Sequence, residues 1–205
     1  MLPTKSAFRF QSSESLGQVS TMKVMVESKV EVVNIAAVGD LGSEVDIEQI
    51  AHDSDLPVSN FDPEYNATFL RFEEDGELVI LYTSGKYILR GGDEFDNMHR
   101  VNDQFLSYLD ELGLELDDPS LEIKNVVAVG NLEREINLEA LMIGLGLEQV
   151  EYEPEQFPGL VYRPTESRCV MLVFASGKVV VTGGRTREED QEAFDHLKTK
   201  VDEFL

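Results

Sequence analysis

The chain has 205 residues, 40 acids against 17 bases, a formal net charge of −23 and 42% hydrophobic residues. That is enough apolar material for one large domain or two small ones, and too much for a wholly disordered chain. The single cysteine, Cys169, excludes a disulfide scaffold, and no apolar run approaches the roughly 18 residues of a membrane span or forms a signal-peptide core, so a cytoplasmic setting is expected.

The charge is uneven. Residues 1–29 carry four bases and two acids, and the remainder carries 13 bases and 38 acids. Taken alone, that excess argues against nucleic-acid binding, because phosphate contacts need cations. A dense carboxylate surface also keeps a protein hydrated in very high salt, where screening cancels its self-repulsion. The scarcity of lysine, 8 residues, fits this halophilic reading. An ordinary acidic cytosolic protein is the alternative.

In chain order, residues 1–22 are Ser-rich and show no period; residues 1–27 read as a disordered arm or an over-extended start. Met22 and Met25 are candidate initiators. A β-rich run follows, Val30–Leu41, and then a short helix with apolar residues at Ile47, Ile50 and Ala51 and a candidate N-cap at Ser43. Three short strands come next, near Phe69–Phe72, Leu78–Thr83 and Tyr87–Arg90. A long amphipathic helix closes the unit, with Val101, Phe105, Leu109 and Leu112 on one stripe.

The same order then recurs. Residues 30–65 match residues 121–156 at an offset of 91 with 11 identities in 36 positions, where chance gives roughly two or three. Among them are Asn34/Asn125, Gly39/Gly130 and Pro63/Pro154. Further on the offset is 92, as in Ser84-Gly85-Lys86 against Ser176-Gly177-Lys178, so the first copy lacks one residue between Pro63 and Arg71 or a little later. The second copy runs Leu121–Leu132, a helix through Leu138, Leu141, Met142 and Leu145 capped by Asn137, strands Leu160–Arg163, Val170–Ala175 and Val179–Thr182, and a helix through Ala193, Leu197, Val201 and Phe204. Two copies of about 90 residues are too few for a solenoid and suggest two half-domains, 28–116 and 117–205, about a pseudo-two-fold axis. Ser-Gly-Lys is hairpin chemistry, with glycine supplying a positive φ. Strands beside one layer of helices give an α+β domain.

Helices can cover one face of such a sheet. The other face is not polar: Asn34, Ala36 and Val38 alternate against Val33, Ile35 and Ala37, and Asn125, Val127 and Val129 against Val126 and Ala128. A bare apolar sheet marks a binding surface or a second protein layer.

"PEQFPGLVYR" (Pro154–Arg163), "VFASGKVVVTGG" (Val173–Gly184) and "NVVAVGNL" (Asn125–Leu132), in a duplicated frame, resemble the TATA-box-binding protein family in its archaeal form. The resemblance covers about residues 28–205 and is closer in the second copy. It implies a saddle: one curved ten-stranded antiparallel sheet below, four helices above, and a concave face that sits in the minor groove of A·T-rich promoter DNA and kinks it. This family is itself a standard example of minor-groove binding. It further implies that Asn34 and Asn125 are a central pair of amide donors, on an apolar floor of Ala36, Val38, Ile88, Val127, Val129, Leu172, Val180 and Thr182. An A·T minor groove shows only acceptors, whereas G·C adds the guanine amino group.

Kinking needs apolar wedges. By resemblance these are Phe157 and Phe174, with Tyr82 and either Asn66 or Tyr65 in the first copy. Phosphates fall to Arg71, Lys86, Arg163 and Lys178. Arg90 stands where the family favours a small residue, as Thr182 is. Glu153, Glu155 and Gln156 take the positions gripped by transcription factor B, which links the complex to RNA polymerase. The implied protein is a nucleoid-associated initiation factor with no cofactor, membrane contact or small-molecule substrate.

An enzyme is not expected. His52, His99 and His196 lack metal spacing, Cys169 has no adjacent base, and the Ser-Gly-Lys turns lack the leading glycine of a P-loop. A protein-interaction or dimer module of the same fold, without TATA-specific binding, is the alternative the residues leave open.

Overall fold

The computed structural model describes residues 29–204; the N-terminal arm and both candidate initiators lie outside the described residues. The first copy builds β1 (Glu31–Asp40), α1 (Ile47–Asp53), β2 (Val58–Asp62), β3 (Ala67–Arg71), β4 (Leu78–Tyr82), β5 (Lys86–Arg90) and α2 (Phe95–Glu111). The second builds β6 (Ser120–Asn131), α3 (Leu138–Leu145), β7 (Val150–Glu151), β8 (Leu160–Tyr162), β9 (Val170–Val173), β10 (Lys178–Gly184) and α4 (Arg187–Phe204). All ten strands join one antiparallel sheet in the order β2-β3-β4-β5-β1-β6-β10-β9-β8-β7. The order reads the same from either end, with β1 and β6 as the central pair.

Period-two alternation decides which face the helices cover. Ile35, Ala37, Leu70, Val79, Leu81 and Leu89 of the first copy are buried in the main core, with Val126, Ala128, Met171, Val173, Val179 and Val181 of the second. Met98, Val101, Phe105 and Leu109 of α2, and Ala193, Phe194, Leu197 and Val201 of α4, pack into the same core. Their intervening strand neighbours form the uncovered face.

Gly39 and Gly130, at the same place in β1 and β6, show how the two copies fill one space differently. A Cβ on Gly39 would strike the Tyr87 ring, and a Cβ on Gly130 the Phe194 ring. The aromatic therefore comes from a strand in the first copy and from a helix in the second. The Tyr87 hydroxyl donates to Asn102 Oδ1 at 2.6 Å, which explains a buried asparagine where the second copy has Phe194. Burial pushes the Tyr87 phenol up to about 12.

Several expectations are corrected. α1 is capped by Asp46, whose carboxylate accepts from Gln49 N–H, and not by Ser43; Val45, between them, is buried and bonds to Thr83 O, so the helix starts later. Four strands, not three, follow the first helix of each copy, because β2 and β7 add short edge strands. Val33 does not share the covered face with Ile35 and Ala37: the register shifts between Val32 and Asn34, and Val33 is 47% exposed. A matching shift between Ala36 and Ala37 leaves Lys124 unpaired in β6, at Val33's counterpart. Phe204 ends α4 exposed, its ring lying over Gly144, rather than continuing the core stripe. Gly85 and Gly177, at φ +80° and +85°, carry the Ser-Gly-Lys turns as expected.

One buried carboxyl gives a stability prediction. Asp190 is fully buried, its Oδ2 has no hydrogen-bond partner, and burial pushes its pKa up to about 6. Its unfolded value is about 3.9. The folded chain therefore holds the extra proton between these values. This stabilisation is full below about pH 4 and lost as the pH rises through about 6, by roughly 1–3 kcal/mol. Thermal unfolding at fixed KCl from pH 4 to 8 should show that slope flattened in Asp190→Asn relative to the parent chain. Parallel pH profiles would refute it.

Candidate nucleic-acid interface

The uncovered face is ordered in rows by the strand register. Phe69, Ile80, Ile88 and Val38 lie side by side, and their counterparts Val161, Leu172, Val180 and Val129 repeat the row in the second copy. Between these rows, Leu78, Arg90, Ala36 and Asn125 are adjacent, mirrored by Val170, Thr182, Val127 and Asn34. Each central asparagine thus sits in a row with residues of the other copy. Most of these side chains are half-buried, covered by no helix. Phe69, Leu78, Ile80, Val161 and Val170 were missed from the sequence. Stepping back by two from Tyr82 or Phe174 along their strands would have found Ile80, Leu78 and Val170.

The two halves of this floor differ. In the first copy Ala67, Leu78 and Ile80 are buried against Phe69, Tyr82 and Ile88 in a small cluster separate from the main core. In the second copy the smaller Gly159, Val170 and Val161 leave a more open surface.

The aromatic pair of the second copy is built by its loop. Phe157 N–H and Gln156 N–H both donate to Glu153 O at 2.9 Å, which folds the β7–β8 connection tightly. Phe157 and Phe174 then meet edge-to-face with ring centroids 5.8 Å apart. A Cβ on Gly159 would lie 2.7 Å from the Phe157 ring and 3.1 Å from the Phe174 ring, so only glycine admits this nesting. Phe157 stays 36% exposed.

In the first copy Asn60 pairs with Phe69 as Glu151 pairs with Val161. The missing residue therefore lies between Phe61 and Thr68. The shortened loop turns at Asn66, with φ 50°, and holds Tyr65 out at 70% exposure. Tyr82 packs on the small cluster, and among the described residues neither Tyr65 nor Tyr82 has a ring partner.

The expected phosphate cations flank the floor. Lys86 and Lys178 begin β5 and β10 directly after the two glycine turns, both exposed. Arg71 donates to Gly76 O at 2.6 Å, and Arg163 lies 3.6 Å from Glu151. Arg71, Arg90 and Asn34 share a shallow pocket of about 410 Å³ with Asp75 and Glu77. Glu153, Glu155 and Gln156 are exposed on the β7–β8 loop, where the Gln156 amide donates to the Glu153 carboxylate.

The central amides are held unequally. Asn125 Oδ1 accepts from Thr182 Oγ1 at 3.1 Å and from Gly183 N–H at 2.8 Å. Both oxygen lone pairs are occupied, so what remains to offer is the Nδ2 donor. Within β6, Glu122 is held below the usual carboxylate range by the hydrogen bond from Lys124, with Arg185 2.7 Å away. Among the described residues no cluster of acids, histidines or cysteine has metal-site geometry, and no helix is long and apolar enough to cross a membrane.

The family model described as transcription factor TFIID, or TATA-binding protein, matches this chain twice, over residues 29–112 and 120–204. TATA-box-binding protein C of Halobacterium salinarum is 45% identical over 86% of this chain and 99% of its own length. The TATA-box-binding protein of Archaeoglobus fulgidus is 35% identical over 86% of this chain and 97% of its own. The solved structure of Methanococcus jannaschii TBP superposes with a TM-score of 0.75 at 30% identity, covering 85% of this chain and 99% of that one. These relatives are named for binding a DNA element and not for a reaction.

Proposed function

The chain belongs to the TATA-box-binding protein family, and we propose that it binds and bends the minor groove of A·T-rich promoter DNA as an initiation factor, with residues 28–116 and 117–205 each serving one half of the site. The observation that carries this reading is the uncovered floor: two mirrored apolar rows around a pair of amides, one of them presented as a donor only. Apolar side chains accept the bare A·T groove and leave a guanine amino group unpaired. Asn34, Ala36, Val38, Ile88, Asn125, Val127, Val129, Leu172, Val180 and Thr182 form the floor. Phe157, Phe174 and Tyr82 act as wedges, and Arg71, Lys86, Arg163 and Lys178 neutralise phosphates. Glu153, Glu155 and Gln156 present an exposed edge to transcription factor B, through which RNA polymerase is reached.

The test is an electrophoretic shift on an A·T-rich duplex in molar KCl, with and without transcription factor B. A shifted band, retarded further by transcription factor B, is expected. No shift at any KCl concentration would overturn the DNA-binding reading, and a band that transcription factor B leaves in place would overturn the partner assignment.

A further inference from the structure

The internal repeat supplies its own control for base readout. At Asn125 the amide oxygen is fully engaged by Thr182 Oγ1 and Gly183 N–H, so its free end donates. The counterparts around Asn34 are Arg90 and Gly91. Arg90 has no hydroxyl, and Gly91 N–H donates to Ile35 O at 3.3 Å instead. Among the described residues the Asn34 amide makes no hydrogen bond. It is therefore free to present either end, Nδ2 to an acceptor or Oδ1 to a donor.

The chemistry of the groove makes this difference matter. A·T and T·A pairs show acceptors only, and G·C adds one donor, the guanine amino group. A fixed Nδ2 donor matches A·T and faces that amino group donor to donor. A rotatable amide accepts from the amino group through Oδ1. Arg90 reinforces the effect. It is exposed, sits beside Ala36 on the same face, and carries five donors and no acceptor. A guanidinium can donate to any minor-groove acceptor, on either kind of base pair, and its charge attracts the duplex regardless of sequence.

We infer that the two halves of the bound duplex are read unequally. The base pairs facing Asn125 and Thr182 must be A·T, whereas those facing Asn34 and Arg90 admit G·C. Arg90 and Thr182 are the residues that set this difference. This inference rests on the minor-groove reading above and names the sequence class that the site takes.

The experiment is selection of bound sequences from a random duplex pool, followed by anisotropy titrations on single-substitution duplexes in molar KCl. A lopsided site is expected: a G·C pair in one half weakens binding about threefold or less, and its mirror substitution about tenfold or more. In Arg90→Thr, which restores the hydroxyl, the tolerant half should become strict. In Thr182→Arg the strict half should become tolerant, and unfolding curves for both variants establish that they fold. A selected site equally strict in both halves, or Arg90→Thr with an unchanged profile, would overturn this inference while leaving DNA binding intact. Failure to bind every duplex at every salt concentration would overturn both.

Discussion

Affinity for an A·T-rich duplex should hold or rise as KCl increases, where an ordinary DNA-binding protein would weaken steeply. A protein that neutralises Z phosphates releases their counterions, and log K then falls with log salt at a slope of about −0.9Z. Arg71, Lys86, Arg163 and Lys178 would contribute about four such contacts, a slope near −4. The acids around them act in the opposite sense. Glu73, Glu74 and Asp75 follow Arg71 in the β3–β4 turn, Glu151 lies 3.6 Å from Arg163, and Glu153 and Glu155 follow Glu151 in the β7–β8 loop. Bringing phosphates against these carboxylates requires cations to be taken up, which offsets the release. The 38 acids against 13 bases outside the first 29 residues extend the same requirement over the whole body. Titration from about 0.3 to 2 M KCl should give a slope near zero or positive, and the triple substitution Glu73→Gln, Glu74→Gln, Asp75→Asn should make it more negative by about one to three. A slope of about −3 or steeper in the parent chain would refute the cation-uptake account.

The duplication, the long central strands and the covered face were legible because small and branched residues alternate with period two over ten or more positions. The edge strands β2 and β7 were not. Val58–Asp62 has little alternation, and Val150–Glu151 is two residues long; pairing with a neighbour, not local pattern, makes them strands. The cap at Asp46 was recoverable from the repeat itself, since it stands 91 residues before Asn137, which caps α3 in the same way. The bulges show as a slip of phase, from Val30 and Val32 to Ile35 and Ala37 in β1 and from Leu121 and Ile123 to Val126 and Ala128 in β6, but only the partner strand identifies Val33 and Lys124 as the extra residues. At the interface, Arg90 stood out by its offset from Thr182. The hydrogen bonds that fix the Asn125 amide depend on a side chain and a backbone N–H, 57 and 58 residues away, so no local reading could reach them.

On the proposed reading, Phe157→Ala should straighten the bound duplex more than Tyr82→Ala. A wedge must stay rigid while it unstacks a base step, at a cost of a few kcal/mol per step. The second copy supplies that rigidity through contact: Phe157 and Phe174 brace each other edge-to-face over Gly159, and the Glu153 carbonyl fixes the loop behind them. Removing Phe157 takes away one wedge and unprops the other. Tyr82 has no aromatic brace and lies on the small cluster of Ala67, Leu78 and Ile80, so its loss mainly unpacks that cluster. Fluorescence transfer between the ends of a labelled duplex should report a bend smaller by roughly 20–40° for Phe157→Ala, within the range of single intercalative kinks, and a lesser change for Tyr82→Ala. Because Phe157 is 36% exposed and outside the main core, its truncation should leave the unfolding midpoint nearly unchanged, which separates loss of the wedge from loss of the fold. Equal bend angles in the two variants would mean that the braced pair of the second copy has no special part in the kink.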